Sequence, residues 1–227
     1  MTGVQTCALP ISRRQLIKLN QKSLNLSKKP MLKNKVKGLK NSSGRNNSGR
    51  ITAFHRGGGV KKRYRKINFN RFKNSTAIVC SLEHDPYRNA YIAAVFDFIN
   101  DDFFYILAPK NLKVGDIVKS GLEVEPSLGS SLPIAKIPIG TAIHNVSPAP
   151  NKKGQISRSA GTFSMIKEKT EKYAVIELSS GEQRYVSSKS FASVGEVSKE
   201  LHFLTRSGKA GRSRWLNRRP TDRKSVV

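Results

Sequence analysis

Short apolar runs, rich in β-branched and aromatic residues, alternate with turn residues through the middle of the chain. A first set of runs predicts strands over Thr76–Leu82, Ala90–Phe98 and Phe103–Leu107. A second set predicts strands over Gly140–Val146, Thr162–Lys167, Tyr173–Leu178, Gln183–Ser187 and Phe191–Val197. Many short strands at regular spacing, with no long amphipathic helix, predict a mostly β fold built of two small barrels.

Turn-rich composition sets the predicted domain limits. The Pro/Ser/Gly-rich stretch Pro126–Ser131 separates a first domain at 44–125, which includes its basic lead segment, from a second domain at 126–205. Residues 13–43 carry a weak helical pattern of leucines that Pro30 and Gly38 interrupt. Because such a basic segment buries too little apolar area to offset its ordering entropy, we predict a disordered extension there. Residues 206–221 form a second basic extension.

The positive charge is confined to the two ends of the chain. Residues 1–82 contain 20 lysines and arginines and no acidic residue, whereas residues 83–205 contain 14 basic and 14 acidic residues. The net charge of +27 therefore lies in a front arm and a rear arm. A neutral scaffold with cationic arms is typical of polyanion-binding proteins, although a nuclear-localisation patch or a solvated run of charge has a similar composition.

Catalytic and metal-binding patterns are missing from the sequence. The four histidines occupy four separate segments, and neither Cys7 nor Cys80 has neighbours at metal-ligand spacing. Neither a phosphate-binding loop nor a dinucleotide-binding glycine motif is present, and no apolar run approaches the roughly 20 residues that span a bilayer. We therefore predict no catalytic residue, no metal or other cofactor, no small-molecule substrate, no membrane partner and no homo-oligomer.

Three basic segments have the residue types that bind nucleic acid. They are Gly44–Arg71, in which Tyr64 lies among alternating cations, the loop Asn151–Gly161, and the rear arm. The composition of the loop fits an ordinary surface loop equally well. Arginine chelates phosphate oxygens, aromatic rings stack on bases, and glycine allows close backbone approach. Trp215 could be a stacking platform or a plug in a barrel core. On composition we predict contacts from Asn47, Gly57, Gly58, Tyr64, Arg71, Lys152, Lys153, Trp215 and Arg218.

Several longer motifs resemble those of one family, the universal large-subunit ribosomal protein L2. The motifs occur in the same order as in the family. The first ones are Gly44-Arg45-Asn46-Asn47-Ser48-Gly49-Arg50, His55-Arg56-Gly57-Gly58-Gly59 and Glu83-His84-Asp85-Pro86-Tyr87-Arg88-Asn89-Ala90. They are followed by Tyr105-Ile106-Leu107-Ala108-Pro109-Lys110, Arg158-Ser159-Ala160-Gly161-Thr162 and Gly208-Lys209-Ala210-Gly211. Arg214-Trp215 and Arg219-Pro220-Thr221 close the series. The resemblance covers about Asn41 to Thr221.

The resemblance implies an OB-fold barrel followed by an SH3-like barrel, with basic extensions that thread ribosomal RNA. It implies binding to large-subunit RNA near the peptidyl-transferase centre, support of assembly and subunit association, contacts with neighbouring ribosomal proteins, and no enzymatic activity. The residues that match the family's RNA-contacting segments are Arg45, Asn46, Arg50, His55, Arg56, Lys61, Lys62, Arg63, Tyr64, Arg65, Arg158, Ser159, Gly161, Lys209, Arg212, Arg214 and Arg219.

The two ends depart from the family pattern. Residues 1–12 and 222–227 resemble translated sequencing adapters, and the family's glycine- and histidine-rich loop does not follow Arg219-Pro220-Thr221. We expect either a C-terminal truncation or a split gene that encodes the rest.

The compartment and the type of nucleic acid rest on weaker signals. Lysine outnumbers arginine 25 to 17, which favours an AT-rich organellar genome and a mitochondrial ribosome, with the bacterial cytoplasm or a plastid as alternatives. The choice of RNA rests on the resemblance, since charge alone does not detect a 2′-hydroxyl. A DNA-architectural protein remains the alternative function, and an RNA-acting enzyme would require a carboxylate or metal cluster.

Overall fold

A computed structural model of the chain describes residues 26, 27 and 29–221. The adapter-like peptides at 1–12 and 222–227 lie outside the described residues, as do residues 13–25 and 28 of the predicted disordered extension. The described chain divides into two compact units. Residues 38–63 and 203–221 form one unit, here called the arm unit, and the remaining described residues form the other, here called the body.

The described residues are mostly β. Two short strands, β1 (Val36–Gly38) and β2 (Arg63–Arg65), form a two-stranded sheet. The remaining strands belong to one ten-stranded sheet: β3 (Ser75–His84), β4 (Tyr91–Asp97), β5 (Asp102–Leu107), β6 (Ile117–Ser120), β7 (Ser131–Pro133), β8 (Ala142–His144), β9 (Ser164–Lys169), β10 (Tyr173–Leu178), β11 (Gln183–Ser187) and β12 (Phe191–Val194). Their order is β11-β10-β9-β8-β12-β7-β6-β3-β4-β5.

The sheet has two halves with separate cores. β3 to β6 pair with one another in antiparallel fashion, and β7 to β12 form the other half. Within the ten-stranded sheet, the two halves are joined by the parallel pairing of β6 with β7, in which Ser120 is opposite Ser131. The core of the second half is built mainly of fully buried isoleucines: Ile134, Ile137, Ile143, Ile166 and Ile176. Each half of the sheet therefore has a hydrophobic cluster of its own, as the two-barrel prediction requires.

Strand β4 is buried on both faces, which explains why its sequence is apolar without alternation. Tyr91, Ala93 and Val95 pack into one cluster of the first half. Ile92 and Ala94 pack into another cluster, which also contains Tyr105 and Val197. Because successive strand residues point to opposite faces, a strand with a core on each side must be apolar at every position.

Residues 31–35 make defined hydrogen bonds, whereas their composition predicts that they belong to a disordered extension over 13–43. The backbone N–H of Met31 donates to Glu83 Oε1 at 2.8 Å, and that of Leu32 donates to the Tyr105 hydroxyl oxygen at 3.0 Å. Glu83 and Tyr105 are fully buried, and burial raises the pKa of Tyr105 to about 12. Buried acceptors need hydrogen-bond donors, and the backbone N–H groups of Met31 and Leu32 supply them. A prediction based on hydrophobicity alone does not include such backbone hydrogen bonds.

The helices are all short. Lys33–Lys35, Ile134–Lys136 and Glu200–Leu204 are 3₁₀ turns, and α1 (Ala210–Trp215) is the one α-helix among the described residues. The predicted strands Tyr173–Leu178 and Gln183–Ser187 are confirmed as β10 and β11. The other predicted strands exist, and their ends differ from the predicted ones by up to three residues. The sequence did not predict β1, β7 or α1, because three to six residues carry too little periodicity.

Candidate RNA-binding surfaces

The front part of the arm unit is a hydrogen-bonded loop. Arg45 and Ile51 form an antiparallel bridge, and the N–H of Asn46 donates to the carbonyl oxygen of Arg50 at 2.9 Å. The Asn46 side-chain oxygen accepts the N–H of Arg50 at 2.9 Å and the Ser48 hydroxyl at 2.8 Å. The side-chain oxygen of Asn46 therefore stabilises the loop itself. The neighbouring residues Asn47 and Arg50 are exposed at the surface.

The glycine run of the front arm pairs with the rear arm. The N–H of Gly57 donates to the carbonyl oxygen of Asn217 at 2.9 Å, and the N–H of Val60 donates to that of Trp215 at 3.1 Å. In return, the N–H of Arg219 donates to the carbonyl oxygen of His55 at 3.0 Å. Two cationic segments separated by about 150 residues of sequence therefore share one hydrogen-bonded surface.

Glycine is required at position 59 for this pairing. Gly59 has φ of +59°, and a Cβ there would overlap the Asn217 side-chain oxygen and lie 2.8 Å from the carbonyl oxygen of Trp215. Only a residue without a side chain combines this left-handed backbone with so close an approach. Gly59 and Asn217 were not among the predicted site residues, although the triple glycine indicates a close contact and Asn217 itself has a positive φ of 69°.

Four arginines of the arm unit converge on two adjoining grooves. The grooves have volumes of about 390 and 470 Å³, and Arg45, Arg56, Arg214 and Arg219 line both of them. These four residues are called here the arginine cluster. The arm unit contains no aspartate or glutamate within 38–63 and 203–221. Because guanidinium groups held together repel one another, the cluster favours an external anion with several acceptor oxygens.

Trp215 is a half-exposed ring rather than a core plug. It is 52% exposed at the end of α1, and Lys209 Nζ lies 4.5 Å from the centroid of its indole ring. An exposed ring with a cation on one face has the composition of a stacking platform. Lys209, Arg218 and the other predicted residues Lys61 and Arg63 are also exposed, while Gly57, Lys62 and Arg212 are partly buried.

A second cationic surface lies in the body, in a cleft of about 710 Å³. Its centre is Phe69, whose ring centroid is 4.7 Å from Arg158 Cζ and 5.7 Å from Arg88 Cζ. Tyr64 and Tyr87 form an edge-to-face pair beside it at 5.4 Å. This arrangement is called here the body cleft. Arginine planes and aromatic rings set together are suited to unpaired bases and their phosphates.

Buried Asp85 positions Arg88 at the body cleft. Its Oδ2 accepts from Arg88 Nε at 2.6 Å, and its Oδ1 accepts the N–H of Tyr87 at 2.9 Å. The Asp85 carboxylate therefore fixes the orientation of the Arg88 side chain and of the Tyr87 backbone. Sequence analysis missed Phe69, Tyr87 and Arg88, although an aromatic residue inside a basic run and the Asp-Pro-Tyr-Arg turn were the available signals.

The loop that carries Lys152, Lys153 and Arg158 borders a second groove of about 500 Å³ next to Phe69. Lys152, Lys153 and Ser159 are exposed, and Lys153 and Arg158 line this groove with Lys35 and Lys66. Gly161 has a structural role instead. Its φ is +70°, its N–H donates to Val197 and Ser198, and a Cβ would lie 2.6 Å from the Cα of Glu200.

Two predicted RNA-binding arginines are buried, which corrects their assignment as surface contacts. Arg65 is 3% exposed and lies 3.7 Å from Glu83 and 3.8 Å from Asp85. Arg71 is 7% exposed and donates to the carbonyl oxygen of Gly129 at 2.7 Å. Burial lowers the pKa of Arg71 to about 10. Both guanidinium groups have a structural role, because Arg65 lies beside buried carboxylates and Arg71 donates to backbone carbonyl oxygens.

Within the described residues, no group of three or more metal-ligating side chains is found, and no helix is long and apolar enough to cross a membrane.

Two family models match the chain in succession. The model described as Ribosomal Proteins L2, RNA binding N-terminal domain, matches residues 32–120, and the model described as Ribosomal Proteins L2, C-terminal domain, matches residues 127–227. The chain belongs to the ribosomal protein L2 family. It is accordingly an RNA-binding constituent of the large ribosomal subunit, and its fold is an OB-fold barrel followed by an SH3-like barrel, as the sequence motifs implied.

The two matched L2 regions both contribute residues to the cationic surfaces. The N-terminal match covers the front segment of the arm unit together with Phe69, Tyr87 and Arg88, and the C-terminal match covers Arg158 and the rear arm. Each surface therefore combines residues from both matched regions. The predicted domain limits at 44–125 and 126–205 remain predictions.

Proposed function

We propose that the chain holds large-subunit ribosomal RNA near the peptidyl-transferase centre, and that it supports subunit assembly and association as a structural, non-catalytic component. The observation that carries this proposal is the arginine cluster, in which residues from both arms line the same grooves without a carboxylate in either arm segment. Four guanidinium groups in one place match the closely spaced phosphates of a folded RNA backbone.

The two surfaces have different tasks in this proposal. The arginine cluster, with the exposed cations Arg50, Lys61 and Arg218 around it, binds phosphates and fixes the position of the arms. The body cleft receives an unpaired base, because Phe69 and the two arginines beside it supply stacking faces and hydrogen-bond donors. RNA threaded between such contacts links distant segments during assembly.

Tethered cleavage tests the location of the arms. The cysteines are first replaced by serine, and Ser207, an exposed residue of the rear arm, is replaced by cysteine and linked to iron-EDTA in the full chain. After incorporation into large subunits, we expect hydroxyl-radical cleavage of the RNA strands around the peptidyl-transferase centre. A cysteine at Tyr185, in the second half of the body, is the control and should give a different cleavage pattern. Cleavage confined to remote RNA domains from Ser207→Cys would contradict the proposal.

We further propose that the ribosome concerned is mitochondrial, with neighbouring ribosomal proteins as additional partners. The support is compositional, because lysine outnumbers arginine 25 to 17. Fractionation of the source cells, followed by detection of the chain with antibodies, should place it in mitochondrial large subunits. Detection in plastid or bacterial ribosomes would replace this assignment without affecting the RNA-binding proposal.

A further inference from the structure

An apolar row crosses one face of the first half of the sheet, at the end of β4 that leads into β5. Ile117 on β6 is opposite Ile78 on β3, Ile78 is opposite Phe96 on β4, and Phe96 is opposite Phe103 on β5. Directly opposed residues of antiparallel strands point to the same face. Their neighbours Ala77, Val95 and Val118 point to the opposite face. The row lies on the face that carries Ile92, Ala94 and Tyr105, beyond the end of their cluster, where Phe103 and Ile117 are exposed.

The row continues onto the turn between β4 and β5. The ring of Phe96 is 4.6 Å from that of Phe103 and 5.5 Å from that of Phe98. Phe98 is 57% exposed, Ile99 61% and Ile117 56%. These residues form one contiguous surface, called here the hairpin patch: Ile78, Phe96, Phe98, Ile99, Phe103 and Ile117. A contiguous exposed surface of this kind marks an interaction site, whereas single exposed apolar residues do not.

Most of the hairpin patch lies in a stretch of the chain that contains no cationic residue. No lysine or arginine occurs between Arg88 and Lys110, in a chain of net charge +27. Asp101 and Asp102 are exposed at the turn, and Lys35 Nζ lies 3.3 Å from Asp102. Lys119, opposite Thr76, lies at the other end of the row, next to Ile117 and Ile78. The acidic turn would repel RNA phosphates, and it would attract cations of a protein partner.

We propose that the hairpin patch binds a segment of a second protein, with apolar side chains that cover the row and a lysine or arginine that pairs with Asp101. The contact joins protein to protein, and the six residues of the hairpin patch line neither the arginine cluster nor the body cleft, whereas Asp102 beside them also lines the groove next to Phe69. It rests on the proposed function only in that the partner is sought within the large subunit. Apolar centres with a charged rim are the usual composition of such interfaces.

Photo-crosslinking in assembled large subunits tests the proposal. A benzophenone amino acid replaces Phe98 in the full chain, and the same probe at Phe54, a 74% exposed residue of the arm unit, is the companion. We expect the Phe98 probe to yield a product that protease removes and nuclease does not. The crosslinked peptide should contain apolar residues and at least one lysine or arginine. The Phe54 probe should crosslink to RNA.

Two substitutions in the Phe98-probe chain make the test directional. Ile99→Ser removes apolar contact and should lower the crosslink yield by about fivefold. Asp101→Asn keeps a residue that tolerates the φ of 49° at this position and removes one negative charge. It should lower the yield about threefold if the partner is a cationic protein, and raise it if RNA covers the patch. A crosslink to RNA, no crosslink at all, or a yield that both substitutions leave unchanged would overturn the proposal. A Phe54 probe that fails to reach RNA would instead count against the proposed function.

Discussion

Arg158 lies over the ring of Phe69, with its Cζ 4.7 Å from the ring centroid. The two residues are 89 positions apart in sequence, and each comes from a different matched L2 domain. Arg88 approaches the same ring at 5.7 Å, so one aromatic side chain positions two guanidinium groups. Phe69 is therefore the residue on which the geometry of the body cleft depends.

Replacement of Phe69 by leucine should weaken RNA binding while the fold persists. The aromatic face is lost, and base stacking on such a face contributes roughly 1–3 kcal/mol. We expect affinity for a large-subunit RNA fragment to fall at least about fivefold in fluorescence anisotropy at fixed salt. Phe69→Tyr should retain most of the affinity. Tyr185→Leu removes a 75% exposed ring outside the cleft and serves as the matched control. Equal losses for Phe69→Leu and Tyr185→Leu would argue against a role for the cleft.

A side chain at position 59 should separate the two arms. Gly59→Ala combines a positive φ with overlap on Asn217, so we expect loss of the hydrogen bonds to the rear arm. Gly49→Ala is the control, because Gly49 has φ of +79° but nothing within 4 Å of its hypothetical Cβ. Both substitutions carry the backbone strain of about 1–2 kcal/mol, and only the first carries the overlap.

Limited proteolysis measures that difference. Trypsin should cleave the rear arm of Gly59→Ala after Arg212, Arg214 and Arg218 several times faster than that of Gly49→Ala, and RNA affinity should fall in the same order. If the two variants are cleaved at the same rate, the pairing of the arms does not depend on close approach at Gly59.

The sequence predicted the strands well because their physical signals are local. Tyr173–Leu178 and Gln183–Ser187 have β-branched and aromatic residues and a glycine turn between them, and no distant residue is needed to recognise them. The position of residues 31–35 could not be predicted in the same way. Their backbone N–H groups are paired by Glu83 and Tyr105, which lie more than 50 residues away.

The predicted RNA-binding residues also divide into those that local sequence identifies and those that depend on distant residues. Charge and motif indicated Arg45, Arg56, Arg214 and Arg219, and the structure brings them together. The same reasoning also selected Arg65 and Arg71, which are buried against internal partners. Composition identifies a guanidinium group but does not reveal which side of the sheet carries it. Phe69 was missed for the converse reason, since its role arises only when Arg158 reaches it.

The salt dependence of RNA binding should report on the arginine cluster. Each phosphate contact contributes about 0.7 to 0.9 to the magnitude of the log–log slope of affinity against salt. The double variant Arg214→Gln/Arg219→Gln should therefore reduce the slope by roughly 1 to 2 and weaken binding to all RNA sequences alike. Arg184→Gln removes an arginine that pairs with Glu182 at 2.9 Å, and it should leave the slope unchanged. A shallow slope for the unaltered chain would contradict RNA binding through the arms.

Buried His144 should make the free energy of unfolding fall as the pH is lowered. Burial, together with the positive charge of Arg71, lowers the pKa of His144 to about 4, although a hydrogen bond to the carbonyl oxygen of Gly195 at 2.8 Å partly opposes the shift. The unfolded chain binds this proton near pH 6.5. Between pH 6.5 and 4 the unfolded state therefore holds more protons, and stability rises with pH. The group contributes about 3 kcal/mol that is present above pH 6.5 and lost towards pH 4.

The measurement is urea unfolding by circular dichroism at several pH values from 4.5 to 7. His144→Asn places an amide N–H near the position of imidazole Nδ1 and does not titrate, so subtraction of its stability curve cancels the other titrating groups. Burial also lowers the pKa of His84, which contributes in the same direction and remains in both proteins. We expect the difference in unfolding free energy between the two proteins to shrink steadily as the pH falls. A difference that is constant with pH would mean that His144 takes up its proton in the folded state as readily as in the unfolded chain.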